Sequence, residues 1–70
     1  MNKKRHNWVA IPREYKVYVC AECGIVKKFN PIRKVTEYFK QWLNGAPVYP
    51  IGIHAPECYK NPDFKLSNII

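Results

Sequence analysis

The sequence has few cysteines, few acidic residues and no long apolar run, and each shortage excludes a class of protein. Three cysteines are an odd number, which argues against a closed disulfide framework. No apolar stretch approaches the roughly 20 residues that cross a bilayer, and none follows the basic start to form a secretory signal peptide. We therefore expect a soluble protein of the cytoplasm, a reducing compartment.

Catalytic motifs are also missing from the sequence. No Gly-rich phosphate loop, His-Glu-x-x-His helix or nucleophile elbow occurs in the 70 residues. Zinc deaminases place a His-x-Glu before a Pro-Cys-x-x-Cys, and here the cysteine pair comes first. A chain this short also has little room for a pocket that excludes water. We expect no enzymatic activity, no catalytic residue and no small-molecule substrate.

Negative charge is scarce, since 12 Lys and Arg face 5 Asp and Glu and give a net charge of +7. Residues 1–40 hold ten of the basic and three of the acidic residues, whereas residues 41–70 are neutral overall. Such one-sided charge favours nucleic acid, acidic proteins or anionic membranes as partners. A membrane surface is the weakest of these, because the helix predicted below carries only Lys34 and Lys40 on its polar side.

The length allows one domain at most. Residues 1–7 are basic, lack core-forming residues and are predicted to be a flexible arm. Residues 8–60 are predicted to form a single zinc-binding domain, for the reasons given below. Residues 61–70 have no clear period and form a C-terminal tail, which is either loose or closes over the core.

A β-hairpin is predicted in the first half of the chain. The run Y-K-V-Y-V from Tyr15 alternates, C-A-E-C-G supplies a turn at residues 20–24, and I-V-K-K-F resumes β-prone sequence. Asn30-Pro31 ends the second strand, because proline cannot donate to a ladder and restricts the residue before it. The cysteine pair is therefore expected at the tip of the hairpin.

Apolar residues then recur at helical spacing, and they predict an amphipathic helix of about three turns. They are Val35, Tyr38, Phe39, Trp42 and Leu43. Asn44-Gly45 suits a left-handed helix end, although the same dipeptide is also a hairpin signal. Residues 46–53, cut by two prolines and a glycine, predict an irregular or edge strand. The expected fold class is a small α+β zinc-stapled domain.

Two pairs of residues have the internal spacings of structural zinc sites: Cys20-x2-Cys23 and His54-x3-Cys58. Two intervening residues let a tight turn point both sulfurs to one corner of a tetrahedron, and Gly24 can take the positive φ that such a turn often needs. Three thiolates and one imidazole would leave no open position for a substrate. The sequence therefore predicts one structural Zn²⁺ on these four ligands.

The segments C-A-E-C-G at residues 20–24 and H-A-P-E-C at residues 54–58 resemble the ligand segments of zinc-ribbon and treble-clef fingers. The resemblance implies a zinc-stapled scaffold with a Cys-Cys-His-Cys ligand set and a knuckle on a hairpin. The second pair departs from the commoner C-x2-C of those families. Such scaffolds serve DNA, RNA and protein binding alike, so the resemblance does not choose a partner.

Three other interpretations of these residues stay open. Cys20 and Cys23 could be a redox pair, although no βαβ pattern accompanies them. All three cysteines could be ordinary buried residues, because cysteine is often core material. His54 could be a surface residue, with His6 or Asp63 supplying the fourth ligand.

The basic residues of the N-terminal part predict a nucleic-acid-binding surface made of Lys3, Lys4, Arg5, Lys27, Lys28, Arg33 and Lys34. Four aromatic residues interleave with them and would stack on bases if exposed: Trp8, Tyr15, Tyr18 and Phe29. The alternative is a protein-interaction module, such as a small phage- or plasmid-type accessory protein that modulates or inhibits a host protein. Ten aromatic residues, more than so small a core requires, favour that alternative.

Overall fold

The computed structural model describes residues 5–69, and within them the chain forms a five-stranded antiparallel sheet in the order β1-β2-β3-β4-β5. The strands are β1 (Trp8–Ala10), β2 (Val17–Cys20), β3 (Val26–Asn30), β4 (Val35–Leu43) and β5 (Ala46–Gly52). A short 3-10 helix, Leu66–Asn68, lies near the C-terminus. Each strand pairs with its neighbours in sequence, so the fold is a meander.

The predicted amphipathic helix is wrong, and with it the α+β class, because residues 35–43 are strand β4 and no α-helix occurs within residues 5–69. The reason lies in the turn that follows. Leu43 pairs with Ala46, which leaves Asn44 and Gly45 as a two-residue turn with φ values of 53° and 80°. Two positive φ values in succession suit the type I′ turn, whose twist matches that of a β-hairpin.

The helical spacing of apolar residues arose because both faces of β4 carry aromatic rings. Phe39 pairs with Val26 on one face of the sheet, and Tyr38 pairs with Lys27 on the other. Since successive strand residues point to opposite faces, the neighbouring rings separate. The strand therefore lacks the alternation of apolar and polar residues that identifies a half-buried strand in a sequence.

Strands β2 and β3 form the hairpin expected around the cysteine pair. The N–H of Cys20 donates to the carbonyl of Ile25 (2.8 Å), and the N–H of Gly24 donates to the carbonyl of Cys20 (3.0 Å). Gly24 has a φ of 81°, as its place in the turn required. Strand β3 ends at Asn30, before the proline.

Strand β5 is the irregular edge strand that its prolines predicted. Pro47 and Pro50 lie on β5 at the sheet edge, the place to which prolines within sheets are mostly confined. Tyr38 pairs with Gly52 and Phe39 with Pro50, so Ile51 is an extra residue in the register. Such a bulge and two prolines make this edge a poor template for pairing with another chain.

The core lies on one face of the sheet. Its buried residues are Ile11, Val17, Val19 and Val26, and Phe39 and Trp42 pack against them. From the C-terminal tail, Phe64, Leu66 and Ile69 also pack on this cluster. The tail therefore closes over the core, as far as Ile69, and the opposite face of β1 to β3 remains outside it.

At the N-terminus, the structure describes only the end of the predicted flexible arm, residues 1–7. Residues 1–4 lie outside the described part. The carbonyl of Asn7 accepts a hydrogen bond from the N–H of Ala21 (2.8 Å), which extends the pairing of β1 with β2. Within residues 5–69, no helix has the length and apolar character that a membrane span needs.

Candidate metal centre and the aromatic face

Four side chains meet at one end of the sheet: His6, Cys20, Cys23 and Cys58. His6 precedes β1, Cys20 ends β2, Cys23 lies in the turn before β3, and Cys58 belongs to the segment after β5. Their candidate ligand atoms all lie within 4.8 Å of one another. Three segments that are distant in sequence thus converge on one point.

Two of the distances between these atoms match the edges of a tetrahedral metal site. The Sγ atoms of Cys20 and Cys58 are 3.6 Å apart, and Cys23 Sγ lies 3.4 Å from His6 Nδ1. Zinc–sulfur bonds of about 2.3 Å and zinc–nitrogen bonds of about 2.0 Å give tetrahedron edges of about 3.8 Å and 3.5 Å. The two measured separations are opposite edges, so together they involve all four ligands. A sulfur pair at 3.6 Å is also well beyond the roughly 2.05 Å of a disulfide.

A hydrogen bond fixes which nitrogen of His6 faces the sulfurs. His6 Nε2 lies 2.7 Å from the carbonyl oxygen of Pro56, and because a carbonyl only accepts, Nε2–H donates. In the neutral ring this leaves the lone pair of Nδ1 directed at the cysteines. An outer partner that orients a histidine in this way is a regular feature of metal sites.

Backbone N–H groups surround Cys20, the least exposed of the three cysteines. Asn7 and Glu22 donate to its Sγ at 3.3 Å and 3.4 Å. Burial raises the pKa of this thiol, but the N–H groups of Cys23, Glu22 and Asn7 together lower it to about 6. Hydrogen bonds that favour the charged form act in this direction. Cys20 is therefore prepared to be a thiolate.

The other two thiols are shifted in the opposite direction. Burial raises the pKa of Cys23 to about 12, with a further contribution from the neighbouring Cys20 sulfur. Burial, followed by the Cys20 sulfur, also raises the pKa of Cys58. Three sulfurs this close cannot all ionise without a cation between them, because like charges oppose one another. A divalent metal ion would remove that opposition.

The structure brings three of the four sequence-predicted ligands together and leaves the fourth apart. Cys20, Cys23 and Cys58 share the cluster, whereas His54 is exposed in the bend after β5. His6, one of the two alternatives to His54, lies in the fourth position, and Asp63, the other alternative, is exposed. The pairing of Trp8 with Cys20 brings His6 there, a register that no spacing in the sequence reveals.

Comparison with protein-family models, with curated proteins and with solved structures finds no match. The resemblance to zinc-ribbon and treble-clef fingers therefore rests on the cysteine motifs alone. What the structure adds is a possible metal-binding cluster on an all-antiparallel sheet.

The basic residues predicted to bind nucleic acid lie in different parts of the fold. Lys27 and Lys28 are neighbours on β3 and point to opposite faces. Arg33 and Lys34 lie in the turn between β3 and β4. The guanidinium of Arg33 is 3.2 Å from the carboxylate of Glu37. Arg5 is exposed just before the metal cluster. Lys3 and Lys4 lie outside the described residues.

The face of the sheet opposite the core carries a group of aromatic residues around one lysine. We call Trp8, Tyr18, Lys27, Phe29 and Tyr38 the aromatic face. The register places them together, since Tyr18 pairs with Lys27 and Lys27 with Tyr38. Trp8 and Tyr38 have ring centroids 6.2 Å apart, and His6 stacks on Trp8 at 4.7 Å. The metal cluster therefore adjoins this face.

Proposed function

We propose that this protein is a non-enzymatic zinc-binding module that binds nucleic acid through its basic surface. The observation that supports the metal is the cluster of three sulfurs and one imidazole nitrogen within 4.8 Å. Three cysteines and a histidine in tetrahedral geometry are typical of structural zinc, and such soft ligands disfavour magnesium and calcium. Four protein ligands leave no position for a substrate, which is why we propose no catalysis.

Zinc would have a structural task in so small a chain. Among residues 5–69, the buried apolar core holds only four side chains beside the cysteines: Ile11, Val17, Val19 and Val26. Domains of this size usually need a disulfide, a metal or a partner. The three cysteines form no disulfide, which fits a reducing compartment inside the cell. Zinc would tie the start of β1, the β2–β3 turn and the C-terminal segment to each other.

Nucleic acid is the proposed partner because the positive charge is large and comes from one part of the sequence. All of the net +7 comes from residues 1–40. Lys27 and Lys28 extend this charge onto both faces of β3, and Arg5 and Lys34 are exposed. Phosphate contacts of this kind provide affinity without sequence preference and release counterions when they form.

Two measurements on one preparation test this proposal. Elemental analysis of the purified protein should find one zinc per chain. Fluorescence anisotropy with labelled oligonucleotides should then find binding that weakens steeply between low and moderate salt. A purified protein without metal would contradict the zinc site. A protein that binds no oligonucleotide at any salt concentration would contradict the nucleic-acid binding.

A protein-interaction module is the second candidate, and a separate set of exposed side chains favours it. Tyr49 and Ile51 on β5 and Ile53 and Tyr59 just after it are 61%, 45%, 51% and 71% exposed. Exposed aromatic and aliphatic side chains of this kind anchor protein interfaces. Binding to a protein through them would tolerate salt and would be lost on changing these residues rather than the lysines.

A further inference from the structure

The aromatic face is open, although its side chains are those of a core. Trp8, Tyr18, Phe29 and Tyr38 are half-buried, whereas three valines on the other face of the sheet are buried in the core on which the C-terminal tail packs: Val17, Val19 and Val26. Among the described residues that the register places on this face of β1 to β4, Cys20 alone is buried. Burial within the chain therefore does not account for these four rings.

Lysine ammonium groups lie over the rings of this face. Lys27 Nζ is 4.6 Å from the ring centroid of Trp8 and 5.1 Å from that of Tyr18. Lys16 lies just before β2, and its Nζ is 4.9 Å from the ring centroid of Phe29 and 5.4 Å from that of the exposed Tyr15. Each lysine is held by cation–π contacts that are worth about 0.5–1 kcal/mol at exposed sites.

We propose that the aromatic face is a stacking platform for the unpaired bases of single-stranded nucleic acid, with Lys16 and Lys27 contacting its phosphates. This inference rests on the proposed nucleic-acid binding and names the strand form and the residues that recognise it. Rings that are open on one side accept the flat face of a base, and lysines beside them neutralise the backbone. A duplex offers its base faces to no such surface, because they are already stacked.

Charge on this face favours a polyanion over a protein surface. No residue that the register places on this face of β1 to β4 carries a carboxylate, while both lysines lie against rings. Glu37 is on the opposite face, where it pairs with Lys28 and binds Arg33. The sign of the potential is therefore the one that phosphates require.

The two lysine–aromatic groups are spaced for one continuous strand. Lys27 and Phe29 are two residues apart on β3, which is about 7 Å along the strand. Both side chains point to the same face. A lysine stem has enough freedom to move its ammonium from the ring to a nearby phosphate, which would expose the ring to a base. Neighbouring nucleotides of one extended chain can therefore meet both groups.

The experiment compares strand forms on the zinc-loaded protein. Labelled dT and rU oligonucleotides of about ten nucleotides and a duplex of equal length are titrated at one salt concentration by fluorescence anisotropy. We expect at least one of the single strands to bind more tightly than the duplex, because stacking uses the base and not the sugar. Equal or tighter binding of the duplex would overturn the platform.

Variants then separate stacking from charge. Tyr38→Leu should weaken binding of the single strand by about 5- to 100-fold without changing its salt dependence, while Tyr38→Phe, which keeps the ring, should retain it. Tyr59→Leu is the matched control, since it removes an exposed ring that lies outside the sheet, in the segment after β5. Zinc content and circular dichroism confirm that each variant folds.

Lys27→Gln and Lys28→Gln form a second matched pair, because they remove the same charge from adjacent residues on opposite faces. The platform predicts that Lys27→Gln weakens binding more. If the protein binds oligonucleotides but Tyr38→Leu leaves the affinity unchanged and the two lysine variants are equivalent, the platform is wrong and the proposed function stands. If neither strand form binds, the proposed function itself fails.

Discussion

At the level of single residues, the metal cluster depends on His6, whose role is not visible in the sequence spacing. Cys20 and Cys23 were found because a short turn brings them together, whatever the rest of the chain does. His54 has the ordinary spacing from Cys58 but is exposed. His6 reaches the cysteines only because Trp8 pairs with Cys20 across two strands, and such pairing depends on the whole sheet.

Replacing the two histidines in turn tests this assignment. His6→Ala should lower zinc affinity by more than the roughly 10- to 100-fold that loss of an outer partner costs, because it removes a ligand. His54→Ala should leave the affinity unchanged, since that side chain is exposed. Competition with a chromophoric chelator measures both affinities. The reverse order of effects would move the fourth ligand to His54.

A second residue-scale prediction concerns Gly24 in the cysteine turn. A Cβ at Gly24 would lie 2.8 Å from the Phe64 ring, and the residue has a φ of 81°. Gly45 has nearly the same φ, 80°, with nothing within 4 Å of its Cβ position. Gly45→Ala should therefore cost about 1–2 kcal/mol of unfolding free energy from the backbone alone, and Gly24→Ala should cost at least about 1 kcal/mol more.

Urea unfolding of the zinc-loaded glycine variants gives both values. Equal destabilisation of the two would mean that the Phe64 ring moves aside freely, and the tail would then not be packed tightly on the cysteine turn.

At the level of elements, the hairpin and the edge strand were predictable and β4 was not. Local signals defined the former: the alternation before Cys20, the proline after Asn30 and the two prolines of β5. In β4, the neighbours Tyr38 and Phe39 point to opposite faces of the sheet. Because both faces carry aromatic residues, the spacing of apolar residues along the sequence resembles that of an amphipathic helix. The aromatic residues opposite the core, which made the helix prediction wrong, are also the residues from which the stacking platform is inferred.

Gln41 offers a test of strand against helix within this segment. It is exposed on β4 and pairs with Val48 on β5. In a strand, Gln41→Val should be more stable than Gln41→Ala by up to about 1 kcal/mol, because a β-branched side chain suits the pleated surface and its partner. A helix would give the opposite order, since alanine has the higher helix propensity. Thermal unfolding of both variants with zinc bound decides between the two.

At the level of the whole molecule, the metal centre and the sheet support each other. The cluster ties three separated segments, and the core beneath contains few buried side chains. His6 belongs to both systems, because its Nδ1 faces the sulfurs while its ring stacks on Trp8. Loss of the metal would therefore be felt on the aromatic face as well as in the fold.

Metal removal should unfold or strongly destabilise the protein, and the effect should depend on pH. Zinc binding requires thiolates, so each thiol that is protonated beforehand must release a proton. The raised pKa values of Cys23 and Cys58 keep both protonated at neutral pH, whereas the pKa of Cys20 is lowered to about 6. From the folded metal-free form, two protons are then displaced above about pH 6, and the apparent zinc affinity of that form should fall roughly 100-fold for each unit of acidification.

Below about pH 6 the Cys20 thiol is protonated as well, so a third proton must leave and the fall becomes steeper. The sign follows directly: acid favours the metal-free state, and the zinc-dependent part of the stability rises with pH. Melting temperatures with and without chelator across this range measure it, with readdition of zinc as the control for reversibility. A melting temperature that is the same with and without chelator at every pH would show that the sheet needs no metal, and that the four side chains meet for another reason.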